Sequence, residues 1–179
     1  MVDTKSKSER KGDLDIEDAR IGYQIAVDLW TYEGEQNWAR FNVMLVANSV
    51  IIAVIGLAVT NQEPLPSISF GMSVVGLILC ITWFLIMKRG FDYQNYYVMS
   101  AREIEERFLA HIVKTISRGG AFAEGQPVTI EIGGKPKDLQ LSWWSRRARA
   151  VHISEIVILI FTTIYILALL EAVGVIPFA

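Results

Sequence analysis

The sequence predicts an all-α integral membrane protein with three transmembrane helices, long cytoplasmic amphipathic helical extensions and a small cytoplasmic β-hairpin. Three observations carry that reading. The apolar runs Phe41–Thr60, Ile68–Met87 and Ile153–Val175 each approach the roughly 20 residues a helix needs to cross a bilayer. Lys and Arg flank these runs on one side only. The segments between them are too long for simple loops and carry helical or strand periodicity of their own.

Residues 1–14 are polar and charged, and read as a disordered start. Met1–Lys11 holds no apolar stretch of signal-peptide type, so the first span is expected to direct insertion. A helix is expected from about Asp15 through Arg40. Ile21, Ile25, Leu29 and Tyr32 recur at three- and four-residue steps, the pattern of one apolar helix face, while Gly22 and Gly34 weaken it. Trp30, Tyr32 and Trp38 lead to Phe41 as interfacial anchors. Span 1 (41–60) and span 2 (68–87) are joined by a short extracytoplasmic link, 61–67.

Residues 88–118 continue as a cytoplasmic amphipathic helix with Tyr97, Ile104, Phe108 and Ile112 on one stripe. Glu103, Glu105 and Glu106 fall on the charged face and read as solvated. Such a stripe needs a partner: the N-terminal helix, a neighbouring subunit or the membrane surface. Gly119-Gly120 is expected to stop the helix.

Within 119–141, Val128, Ile130 and Ile132 alternate with Thr129 and Glu131, which is strand periodicity. A two-residue Gly133-Gly134 turn would set Ile130 opposite Lys137. A four-residue loop through Pro136 pairs Ile130 with Leu139 and Val128 with Leu141, and puts Glu131 against Asp138. The second register is preferred, because it matches apolar side chains and keeps Pro136 in the loop. Residues 142–152, with Trp143 and Trp144, form an interfacial segment before span 3 (153–175) and a short extracytoplasmic tail, 176–179.

Orientation follows from the positive charges. Lys5, Lys7, Arg10, Lys11, Arg20 and Arg40 precede span 1, Lys88 and Arg89 follow span 2, and Arg146, Arg147 and Arg149 precede span 3. All lie on one side if the N-terminus is cytoplasmic and the C-terminus extracytoplasmic. The net charge of −2 is uninformative, because the signs are sorted by position. Basic residues at membrane edges suit anionic lipids and give no nucleic-acid surface. The single cysteine, Cys80, lies in span 2, so no intramolecular disulfide can form.

Small and polar residues mark the candidate packing or subunit-interface seam: Asn42, Asn48, Ser49, Ala53 and Gly56 in span 1, and Ser69, Ser73 and Gly76 in span 2. Asn48 is costly against lipid and should find a partner helix or water. Glu171 near the outer end of span 3 is a candidate axial residue. His152 and Glu155, one turn apart, are a candidate pH-responsive pair whose default is an interfacial ion pair. His111 and His152 form no metal-ligand spacing, and no phosphate loop or nucleophile elbow is present. No catalytic residue, metal or cofactor is therefore expected.

Two stretches, Tyr32-Glu-Gly-Glu-Gln-Asn-Trp-Ala-Arg-Phe-Asn-Val-Met-Leu-Val-Ala-Asn-Ser and Lys88-Arg-Gly-Phe-Asp-Tyr-Gln-Asn-Tyr-Tyr, carry a resemblance. With Ser117–Gly120 and the order of spans, the chain resembles the RipA-like family of small octameric bacterial membrane proteins. That resemblance implies a bacterial inner-membrane protein assembling as a ring of eight, and supplies no catalytic residues. The function expected is a non-enzymatic homo-oligomeric assembly, acting as scaffold or channel-like complex. The rival is an accessory subunit that binds and regulates a transporter or envelope-stress system as its membrane-protein partner.

Overall fold

The computed structural model describes residues 3–60, 65–147 and 149–176, with side chains from Ile16 onward. Helix α1 spans Asp3–Thr60 and helix α2 spans Pro66–Ile104. A π-helical turn, Glu105–Leu109, extends α2, and helix α3 follows at Thr115–Ala123. Strands β1 (Val128–Ile132) and β2 (Lys135–Leu139) precede a short helix α4 (Trp143–Arg147) and helix α5 (Ala150–Ala172). Three of these helices are long and apolar enough to cross a membrane, in the stretches Ile16–Thr60, Pro66–Leu109 and Ala150–Ala172. Helix α1 therefore begins inside the stretch read from sequence as disordered.

The chain divides into two compact units. The span unit comprises Glu35–Phe91 and Ala150–Ala179, and the hairpin unit comprises Met1–Gly34 and Asp92–Arg149.

In the span unit, α1 buries Phe41, Asn48, Ile51, Ile55 and Ala58, and α2 buries Ser69, Ser73, Cys80, Trp83 and Met87. Steps of three, four and seven keep each set on one helical face. Ile158, Tyr165 and Ala168 of α5 complete the core. Trp83 is fully buried and lies 5.3 Å from Phe41 and 6.0 Å from Phe161, so one indole ties all three spans at that level. Outward positions such as Val43, Val46, Leu57, Ile78 and Ile81 remain apolar and exposed, which suits lipid or a neighbouring chain.

In the hairpin unit the apolar stripe of α1 faces out. Ile21, Ile25 and Tyr32 are more than half exposed and Leu29 is exposed, whereas Ala26 is buried and Gly22 packs on Ile104. Small residues won the inner face because they let two helices approach closely. Glu105, expected on the solvated face, is 1% exposed. Nor is the helix continuous to residue 118: the π turn breaks its register, and the chain restarts at Thr115. Gly119 and Gly120 lie inside α3 instead of ending a helix. Gly120 is buried against Arg102, whose guanidinium occupies the space a Cβ would need.

The hairpin adopts the register set aside from sequence. Val128 pairs with Leu139, Thr129 with Asp138, Ile130 with Lys137 and Ile132 with Lys135. Gly133 and Gly134 have φ of 61° and 74°, the double left-handed pair a tight primed turn requires. Turn geometry outweighed apolar matching, since Lys137 and Leu139 are exposed at this edge and little burial was at stake. Pro136 sits at the second pair from the turn, opposite Glu131, where an antiparallel ladder has no bond to lose. Asp138 meets Thr129 in a 2.6 Å hydrogen bond and is spared the like-charge pairing with Glu131.

Candidate functional site

Each unit holds one feature with chemistry in it. In the span unit it is a polar knot around Asn48, which is fully buried. An amide there must be satisfied from within, since lipid offers no partner. Its Nδ2 donates to the Met44 carbonyl at 2.7 Å. Its Oδ1 accepts from the Tyr165 hydroxyl at 2.9 Å and from the Cys80 thiol at 3.6 Å, and the same hydroxyl lies 3.1 Å from the Asn48 carbonyl. One residue from each span thus meets at a single point. Gly76 makes this feasible, because a Cβ there would collide with the Tyr165 ring. Ser73 closes the edge by donating to the Ser69 carbonyl at 2.8 Å. Lower in the same unit, Asn37 is 2% exposed, receives Arg40 at 3.3 Å and occupies the space beside Gly90.

The knot is held by hydrogen bonds and small residues, and it presents no nucleophile–base pair. Its chemistry is cohesion. Sequence had marked Asn48, Ser73 and Gly76 but not Tyr165. The readable signal was a second buried-range polar group, the phenol, in the middle of an apolar span.

In the hairpin unit Glu105 acts as a remote cap. Its Oε2 accepts the backbone N–H groups of Ile116 and Ser117 at 3.0 and 3.1 Å, the first-turn donors of α3 that Lys114 leaves uncapped. The carboxylate also lies close enough to Tyr23 to act on it. Burial first, and then the Glu105 charge, push the Tyr23 hydroxyl above its ordinary pKa. Beside this cap a cavity of about 450 Å³ opens between α3 and the hairpin. Ile112, Phe122, Ile130 and Leu139 give it an apolar lining, and Lys114 and Arg118 also border it.

The other residues singled out from sequence are dispersed. Ser69 and Gly76 are buried inside the span unit with Asn48 and Ser73, whereas Asn42, Ser49, Ala53 and Gly56 form an exposed face of α1. The Ser49 hydroxyl on that face bonds back to the Leu45 carbonyl. Glu171 is half-buried near the end of α5. His152 Nδ1 lies 3.5 Å from Glu155, an exposed pair at the start of α5. Among the described residues, no three His, Cys, Asp or Glu side chains are placed to hold a metal ion.

No curated protein and no solved structure matches the chain. A family model does: the octameric membrane protein family (8xMP) matches residues 22–174. The match carries the octameric membrane character that the resemblance implied, and not the RipA name.

Proposed function

The chain belongs to the octameric membrane protein family, and from that premise we propose a non-enzymatic homo-oligomeric scaffold of the bacterial inner membrane. One observation carries the scaffold reading over a conducting one. The polar side chains buried deepest in the spans are spent inside a single subunit, Asn48 and Tyr165 on one another and Ser73 on the Ser69 carbonyl. Asn48 and Tyr165 help hold the spans as a rigid anchor, and the exposed hydroxyls of Ser49, Thr82 and Thr163 bond back to carbonyls of their own helices. The hairpin unit, with exposed apolar side chains and an open groove, is then the working face.

The positive flanks support a cytoplasmic N-terminus and a cytoplasmic hairpin unit, with the C-terminus outside. Basic residues at those edges, Lys88 and Arg89 among them, favour anionic lipid head groups. The exposed small-residue face Asn42, Ser49, Ala53 and Gly56 is suited to a neighbouring span.

The test is ion flux in proteoliposomes alongside native mass of the detergent-solubilised complex. A scaffold gives a defined homo-oligomer and flux no greater than protein-free vesicles. Flux that falls on Glu171→Ala replaces the scaffold with a channel whose axis carries that carboxylate. A second membrane protein at fixed stoichiometry in the native mass replaces it with an accessory subunit.

A further inference from the structure

Two surfaces of the hairpin unit complement each other, yet one chain cannot join them because both stand exposed. The first is a face of α1. Asp18, Ile21, Ile25, Asp28 and Tyr32 follow at steps of three, four, three and four, and every one is exposed. It offers apolar anchors one turn apart, bracketed by carboxylates. The second is the groove between α3 and the hairpin, with its apolar lining and the cations of Lys114 and Arg118. Among the described residues neither Asp18 nor Asp28, and neither Lys114 nor Arg118, enters an ion pair, whereas Arg20–Glu17 and Arg107–Glu103 do.

We propose that the groove bordered by Lys114 and Arg118 receives the Asp18–Ile21–Ile25–Asp28–Tyr32 face of α1 from a second copy of this chain. Helix-in-groove recognition uses apolar anchors at this spacing, and opposite charges at the rim fix orientation and exclude wrong partners. The two surfaces differ, so the contact is head-to-tail. Repeated round an axis, such a contact closes into a ring, which is a symmetry an octamer can use. It also supplies the partner that exposed Ile21, Ile25 and Ile112 lack within one subunit. This inference rests on the self-association the family carries, and is indifferent to whether the ring conducts.

Charge exchange tests it in the full-length protein, with wild-type octamer in the same detergent as baseline. Variant one is Asp18→Lys with Asp28→Lys. Variant two is Lys114→Glu with Arg118→Glu. Each alone repeats a like-charge contact at every interface, so each should lose octamer about tenfold or more in native mass spectra. Co-expressed under different mass tags, the two should reassemble as octamers of alternating composition, because each stripe now meets an opposite groove. Reassembly also demonstrates that neither variant is misfolded. Octamer retained by either variant alone overturns the proposal, as does failure of the mixture to assemble. Loss of bound anionic lipid from variant two, with its octamer intact, also overturns it and gives the groove to lipid. A wild-type protein that is not oligomeric would remove the premise instead.

Discussion

Replacing Gly76 by Ala should break the knot that joins the three spans. The added Cβ would enter the ring of Tyr165, where ordinary carbon contacts need about 3.5–4.0 Å, so the ring must retreat by about an ångström or more. Tyr165 has nowhere to go, being fully buried and tethered to Asn48 Oδ1 at 2.9 Å. Overpacking of this kind costs about 1–3 kcal/mol. The hydrogen bond stretched in the process adds roughly 0.6 kcal/mol, and at most about 1.7, in a membrane interior. A loss of about 2–4 kcal/mol is therefore expected, read as reduced resistance to SDS-driven unfolding in mixed micelles. Gly71→Ala, whose Cβ meets nothing within 4 Å, is the matched control. In a Tyr165→Leu background the ring is gone, and most of the Gly76→Ala penalty should vanish, a coupling of about 2 kcal/mol. The reasoning is refuted if Gly76→Ala stays within about 0.5 kcal/mol of wild type, or costs the same in both backgrounds.

Three further outcomes follow from the hairpin unit. Glu105→Ala removes the remote cap of α3 and should destabilise that helix by about 1 kcal/mol, seen as faster amide exchange across Thr115–Ala123 with the spans unchanged. In paired cysteine variants carrying Cys80→Ser, Ile130→Cys with Lys137→Cys should cross-link under mild oxidation. Ile130→Cys with Leu139→Cys should not, and the reverse result would restore the four-residue loop. Tyr23 holds its proton more tightly folded than unfolded, so its contribution is complete below the unfolded pKa of about 10 and is lost as pH rises through the higher folded value. Tyr23→Phe should flatten the alkaline fall in melting temperature, and an unchanged fall would assign it to other groups.

What could be read without coordinates divides by range. The spans were legible because lipid imposes one rule on every residue in them, and the three apolar runs obey it. Asn48 was legible as a residue in need of a partner, but the partner lies 117 residues away, beyond any periodicity. The stripe Ile21–Ile25–Leu29 is legible as one apolar face, but the side it turns to is not. Binary patterning assumes that the largest apolar residues face the subunit's own core, whereas this helix pair closes on Gly22 and Ala26. Glu105 was lost for a related reason. Within a run of carboxylates nothing distinguishes the one that the π turn rotates inward, and its use is fixed by the uncapped amides eleven and twelve residues later. The hairpin's strands were visible in alternation, while its register depended on two glycine dihedrals that outweighed the apolar pairing.

The tie between Asn48 and Tyr165 also sets an order of events during synthesis. At about 5–20 residues per second, the ribosome needs roughly ten seconds to pass from one to the other. Through that interval the first two spans can bring Asn48 to the Cys80 thiol, a weak donor, but its strong partner has not yet been made. The helical pair must wait in the bilayer with an amide oxygen incompletely satisfied, and it is the arrival of the third span that latches the subunit. A chain truncated before Tyr165 should therefore persist as a loosely held pair, open to quality-control proteases, and only the finished subunit has a completed core to bring to assembly.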